Sequence, residues 1–312
     1  MGQQVSFGIT TPQHHVTYPE LLRVWQAADE LGFDSAWLFD HFLPIAGDVE
    51  GPCLEAMVTL AALAVQTQRL RVGTLVLGNT YRHPALLANM GVALDLVSNG
   101  RLELGLGAAW YAREHQAYGI PFPSTATRIR MMGEALQVVK LLWMESKVNF
   151  QGRYYTLTDA LCQPKPIQRP HPPLWVGGGG ERLTLRILAE HADGWDYMAP
   201  LPEYGRKLQV LADHCRAVGR DIQSIQKAIH FVLGIDYDRQ RAESKAVDAY
   251  LRFGIPAEEV HQSAIIGTPD ECIEHLRQYM ALGVSHFIIE LRPPYDYEGM
   301  ELFVEKVIPA FR

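Results

Sequence analysis

The sequence predicts an α/β protein of the (β/α)8 TIM-barrel class. Three observations carry that expectation. Eight short apolar runs alternate with helical segments along nearly the whole chain. The runs are apolar on both faces, as a parallel sheet covered by helices requires. A length of 312 residues suits one such barrel with a modest insertion, so residues 1–312 are read as one barrel domain. A doubly wound sheet is the runner-up. Its glycine fingerprint is missing from the first turn, where Thr10-Thr11-Pro12-Gln13 stands.

The first strand, residues 5–9, precedes a helix over 18–31 that Thr17 caps and Gly32 ends. A strand over 35–39 leads through a loop to a helix over 54–67. The strand at 70–77 is followed by a helix over 84–97, and Pro84 suits its first turn. The strand at 101–106 precedes a loop and a long helix over 127–144. Residues 146–172 then break the alternation. Within them, 147–157 reads as a hairpin turning at Gln151-Gly152, and a Pro-rich stretch over 164–173 returns the chain to the barrel. Strands at 173–176 and 194–198 flank a helix over 181–191. A helix over 203–218 stops at Gly219, a strand at 225–234 precedes a helix over 241–252, and a helix over 269–282 ends at Gly283. A strand at 285–291 and a helix over 299–310 close the chain.

Between the fifth strand and its helix stand four consecutive glycines, Gly177, Gly178, Gly179 and Gly180. A turn without Cβ atoms approaches an anion closely. The first N–H groups of the following helix are unpaired and sit at its positive end. Strand, glycine turn and helix N-terminus together make a phosphate site. A tight turn without ligand is the plain alternative. Four glycines in a row, with Arg182 in the first helical turn, favour the phosphate.

Apolar residues make up 48% and charged residues 20%, ordinary for a globular protein with a substantial core. A formal net charge of −7 argues against a nucleic-acid partner. No apolar run reaches the roughly 18 residues that span a bilayer, so no membrane association is expected. No secretory segment opens the chain. Met1-Gly2-Gln3-Gln4-Val5-Ser6 matches a myristoylation signal formally, but a buried first strand from Val5 is the better reading. Cys53, Cys162, Cys215 and Cys272 are scattered without C-x-x-C spacing, which fits a reducing cytoplasm. The 12 histidines form no H-x-H or H-E-x-x-H, and no G-x-S-x-G occurs. Neither a metal centre nor a serine nucleophile is expected.

Barrel enzymes carry their chemistry at the C-terminal strand ends. The second strand ends in Asp40-His41, a carboxylate beside an imidazole, suited to proton transfer. The other reading is a loop cap and a packed ring. The third strand ends in Gly78-Asn79 and carries Gly73 at its start. Glycines on both sides mark a bulge, or close approach by a ligand. The fourth ends in Gly105-Leu106-Gly107-Ala108-Ala109-Trp110. Its small residues leave room for a flat ligand, and Trp110 is placed to wall it.

These motifs, in this order, resemble one family: the bacterial-luciferase-like flavin and deazaflavin oxidoreductases, especially the branch that uses coenzyme F420. The matching stretches are Ala36-Trp37-Leu38-Phe39-Asp40-His41, Arg71-Val72-Gly73-Thr74-Leu75-Val76 and Tyr81-Arg82-His83-Pro84. Residues 105–110 with Glu114-His115, Ala117-Tyr118-Gly119, and residues 173–180 continue the series.

The resemblance implies a flat tricyclic cofactor across the strand ends: coenzyme F420, with FMN as the alternative. Asp40 and His41 would border its ring. Leu75 and Val76 would carry a non-prolyl cis peptide bulging behind it, beside Gly78 and Asn79. Gly107, Ala108, Ala109 and Trp110 would line the ring or its chain. Gly178, Gly179 and Gly180 with Arg182 and Leu183 would hold the phosphate. Arg113, Arg182 and Arg186 would meet the acidic tail that F420 has and FMN lacks. The implied activity is hydride transfer between the deazaflavin and a small organic substrate. His41 would move the proton with Asp40 orienting it, and His14, Glu55 and Trp110 would stand on the substrate side. One departure matters: the family's sugar-phosphate dehydrogenases have a catalytic Glu where Trp110 stands, and a Trp is neither acid nor base. An FMN-dependent two-component monooxygenase served by a flavin reductase is the alternative. A non-enzymatic flavin-binding barrel is a second, against which the intact Asp40-His41 weighs.

Helices 54–65 and 84–97 are apolar over more than one face. A barrel helix that faces solvent shows a polar side. A homodimer packed through these helices is therefore expected, a mode the family also suggests.

Overall fold

The computed structural model describes residues 5–251, 256, 260 and 264–312. Met1 to Gln4, with most of the formal myristoylation match, lie outside the described residues, as does Arg252 at the end of the helix expected over 241–252. Eleven strands are described, numbered along the chain. β1 (Ser6–Thr10), β2 (Ser35–Leu38), β3 (Arg71–Gly78) and β4 (Leu102–Gly107) make half of a ring. β5 (Val148–Gln151) and β6 (Thr156–Ala160) form an antiparallel hairpin outside it. β7 (Leu174–Gly177), β8 (Gly194–Asp196), β9 (Gln226–Ile235) and β11 (His286–Glu290) complete the ring, which closes where β11 pairs with β1. All eight ring strands run parallel. β10 (Ala264–Gly267) pairs with β9 from outside. Four residues of apolar run were too short to predict it.

The helices follow from local rules. α1 (Tyr18–Leu31) opens with a reciprocal capping box between Thr17 and Glu20, and Gly32 ends it at φ 95°. α2 (Ala56–Val65) takes its cap from the Glu55 carboxylate, which accepts from Val58 N at 2.7 Å. α3 (Pro84–Val97) starts at its proline, as the sequence predicts. α5 (Thr125–Met144), α7 (Leu201–Ala217) and α8 (Arg239–Leu251) lie within two residues of their expected starts. α9 (Pro269–Ala281) repeats the capping box with Thr268 and Glu271.

Three helical segments also depart from expectation. α4 (Ala112–Tyr118) stands where a loop was read, because seven residues show too little periodicity to mark a helix. α6 (Thr184–His191) begins three residues later than expected, so Arg182 lies in the turn before the helix and not in its first turn. The expected helix 299–310 is α10 (Tyr297–Leu302) followed by a π turn and a 3-10 turn. Pro309 lacks the N–H that a continuing α-helix needs there.

The N-terminal end of the barrel is plugged. Trp37 and Trp175 pack edge to face at 5.5 Å, and each touches the His286 ring. Trp37 Nε1 donates to Ser35 Oγ at 2.8 Å, and Ser35 Oγ pairs with His286 Nε2 at 2.8 Å. Burial pushes the His286 imidazole down to about 3, so it is neutral. This plug leaves the opposite, C-terminal end for ligands.

Candidate functional site

At the C-terminal strand ends lies a cavity of about 750 Å³, the size class of a cofactor site. β2, β3, β4 and β7 build one side of it. Val76 forms part of the floor, after a cis peptide between Leu75 and Val76. The pairing of β3 with β4 shifts register between Thr74 and Leu77, so the strand bulges there. Gly107 answers that bulge: a Cβ on it would stand 2.6 Å from Val76 Cγ2. The Gly105-x-Gly107 pattern thus has a packing cause as well as leaving a flat surface.

The glycine loop after β7 lines the same cavity, as does Thr184 at the start of α6. Gly178 sits at φ 111°, a conformation open to glycine. Its N–H is taken by Asp196 O at 3.1 Å. Among the described residues the N–H groups of Gly179 and Gly180 meet no protein acceptor. Two free N–H donors beside a threonine hydroxyl fit an anion, which agrees with a phosphate there.

His41 is 8% exposed and Glu114 fully buried. His41 Nδ1 lies 2.9 Å from Glu114 Oε2. Glu114 also accepts from Phe42 N, from Leu43 N at 2.8 Å and from Tyr81 Oη. Burial opposes charge on Glu114, but the bonds from His41, Tyr81 and Leu43 N outweigh it and hold the carboxyl below its usual range. An ionised carboxylate only accepts, so His41 donates through Nδ1 and Nε2 is left for other work. The imidazole is enclosed by the rings of Phe39 at 5.1 Å, Trp110 at 5.6 Å and Tyr111 at 5.8 Å.

Asp40 does not orient His41 as expected. Arg82 donates to both its oxygens, at 2.7 and 3.0 Å, and Gly78 N donates at 2.9 Å. The geometry joins β2 to β3 and leaves the imidazole to Glu114. Burial pushes the Asp40 carboxyl up, against the pull of Arg82 and Gly78 N. Glu55 completes this network by accepting from Arg82 while capping α2, and it does not line the cavity. His14 does line it, and burial, with nearby His15, Arg292 and His41, pushes its imidazole down to about 4.

The cavity brings together His14, Asp40, His41, Leu75, Val76, Gly78, Gly107, Ala108, Ala109, Trp110, and the loop Gly178, Gly179 and Gly180. Other expected residues are not among its lining. Asn79 is buried and its amide donates to Tyr155 Oη at 3.4 Å. Leu183 is the half-buried residue before α6. Arg113 and Arg182 are exposed beyond the rim, and Arg186 is committed to Glu190 at 2.9 Å. Sequence reasoning missed Glu114 as the His41 partner. It also missed a second imidazole–carboxylate pair, in which His230 Nδ1 lies 2.9 Å from Asp196. Among the described residues no group of three or more His, Cys, Asp or Glu is placed to hold a metal, and no helix is long and apolar enough to cross a membrane.

A parallel barrel with a bulged third strand and a glycine loop after the fifth ring strand defines the class. The chain belongs to the luciferase-like monooxygenase family, whose model matches residues 5–255. It is 28% identical to an F420-dependent glucose-6-phosphate dehydrogenase from Amycolatopsis mediterranei, over 91% of this chain and 92% of that one. Among solved structures, an F420-dependent secondary alcohol dehydrogenase bound to an F420–acetone adduct superposes with a TM-score of 0.86 at 22% identity, covering 99% of both chains. A monooxygenase from Streptomyces bottropensis superposes with a TM-score of 0.82 at 24% identity, covering 98% of this chain and all of that one. At such identities the two structures share the fold.

Proposed function

We propose that this protein is an F420-dependent oxidoreductase that moves a hydride between the deazaflavin and a small organic substrate. The observation that carries the reading is the meeting, in one cavity, of free glycine N–H donors, a flat small-residue floor and a buried histidine–glutamate pair. F420-dependent relatives that match over nearly their whole length support the choice of cofactor. F420, when bound, supplies the hydride chemistry. The protein's residues do the remainder. The free N–H groups of Gly179 and Gly180 hold the phosphate with Thr184, on the turn that Gly178 shapes. Val76, Gly107, Ala108 and Ala109 form the surface for the ring. His41, anchored through Nδ1, gives or takes the substrate proton at Nε2. Trp110, Phe39 and Tyr111 pack around that imidazole. Arg82 and Gly78 fix Asp40 at the ring's edge. Arg113 and Arg182, exposed beyond the loop, receive the acidic tail.

The chain acts as one barrel domain with residues 146–172 inserted, and it works as a homodimer. Val58 is 71% exposed on α2 and Leu86 56% exposed on α3, apolar surface that a second copy would cover. The four cysteines are free thiols, which supports a reducing cytoplasm as its workplace. The test is an anaerobic panel of small alcohols and aldehydes scored by the change in F420 absorbance. Substrate-dependent reduction or oxidation of F420 is expected. A protein that binds F420 yet turns over only reduced FMN with oxygen would overturn the reading.

A further inference from the structure

The cavity has a second wall that the cofactor-side residues leave untouched. β8, β9, β11 and the segment after β1 build it, and Asp196, His230, Glu290 and Arg292 line it. His230 Nδ1 lies 3.0 and 2.9 Å from the two Asp196 oxygens. The pair bridges neighbouring strands, with the Asp196 side chain 6% exposed and His230 23%. The bonds of His230 to protein run through Nδ1, which leaves Nε2 for a ligand. Beside it Arg292 Nε donates to Glu290 at 2.8 Å, and the guanidinium stands 5.0 Å from the Tyr250 ring centroid. Burial opposes charge on His230, but Asp196 and then Glu290 outweigh it, against Arg292, and push its pKa up to about 9. At neutral pH the ring is therefore an imidazolium, and each cation on this wall has its own carboxylate.

We propose that His230 anchors the substrate and that this wall selects a neutral hydroxyl or carbonyl compound over a phosphate ester. His230 Nε2–H donates to a substrate oxygen while Asp196 fixes the ring from Nδ1. A phosphate dianion would accept from the same Nε2–H, but it would bring two further negative charges beside Asp196 and Glu290, whose charges His230 and Arg292 already balance. A neutral oxygen accepts from Nε2 and leaves both pairs intact. The proposal rests on the F420 reading of the cavity, and it gives His230 a binding task distinct from the proton task of His41.

The experiment uses the F420-loaded protein, with F420 binding first measured by calorimetry. Absence of F420 binding would sink the cofactor reading, whereas the substrate comparisons, made only on loaded protein, judge the His230 wall. Glucose, glucose 6-phosphate and a series of small secondary alcohols are then compared as substrates. Neutral compounds are expected to be turned over, and glucose 6-phosphate is expected to bind no tighter than inorganic phosphate. His230→Ala is expected to raise KM by about tenfold or more, with the loss falling on KM far more than on kcat and with F420 affinity kept. In the wild type, KM should climb as pH passes about 9, where the imidazolium loses its Nε2 proton. Asp196→Asn should move that climb to lower pH. Should His230→Ala fail to fold, the wild-type pH profile and Asp196→Asn still decide the matter. A preference for glucose 6-phosphate, an unchanged KM in His230→Ala, or a KM flat across alkaline pH would overturn the proposal.

Discussion

Glu114→Gln separates two accounts of His41, because the substitution keeps shape and reverses a hydrogen bond. Glu114 accepts from His41 Nδ1, Phe42 N, Leu43 N and Tyr81 Oη with no exposure to water. Glutamine has one acceptor oxygen. The two backbone N–H groups hold that oxygen, so the amide NH2 faces His41 and Tyr81. A donor opposite Nδ1 forces the ring into the tautomer that carries its proton on Nε2, and that nitrogen can no longer take a proton. Turnover should fall by roughly 10²-fold. Replacing charge-assisted bonds by neutral ones costs about 1 kcal/mol each. Relief from burying a charge offsets about half of the sum, leaving a net loss of about 2 kcal/mol. Urea unfolding reads the stability, nitrogen-15 NMR of the imidazole reads the tautomer without any substrate, and the alcohol panel reads turnover. An Nδ1–H tautomer that persists in the variant, with stability unchanged, would show that Glu114 does not set the His41 proton.

The same carboxylate predicts an acid limit. Its folded pKa lies below the ordinary 4.5, so its contribution is complete above that value and is lost as pH falls through the folded pKa. Wild-type unfolding free energy should drop on acidification below about pH 4.5 more steeply than that of Glu114→Gln, as urea titrations at several pH values will show. Asp40→Asn leaves Arg82 with Glu55 as its remaining carboxylate and should destabilise by about 1–3 kcal/mol; a loss within about 0.5 kcal/mol, on the order of an ordinary surface change, would contradict the pairing. Gly178→Ala meets a φ of 111° and should weaken F420 binding by about tenfold or more through the distorted loop, as fluorescence titration checks. A double change of Val58 and Leu86 to Lys should yield monomers by light scattering, whereas an intact dimer would place the interface elsewhere.

The barrel was legible because its signals are local. Apolar strands, proline starts and glycine stops each act within a few residues, and α3 fell on its expected bounds for that reason. The glycine loop and Asp40-His41 were legible too, since both are contiguous. The partner of His41 was not. Glu114 lies 73 residues away on a helix too short to show a period, and adjacency made Asp40 the apparent partner. Asp40 proved to be tied to Arg82, which lies beyond β3. His230 and Asp196 meet across the β8–β9 ladder, 34 residues apart, and neither belongs to a motif. Contacts of this kind follow from strand order and register, which the alternation of elements does not specify.

A paired titration with F420 and FMN reads the cofactor preference of the cavity. F420 and FMN each bring one phosphate to the glycine loop, but F420 alone adds an acidic tail for Arg182 and Arg113. Fluorescence titration at low salt should show F420 binding at least about tenfold tighter than FMN, a difference of roughly 1.4 kcal/mol that two screened charges can supply. Arg182→Ala should narrow the gap. FMN binding as tight as F420 or tighter would rule out F420 as the preferred cofactor and move the protein to the flavin monooxygenases of its family.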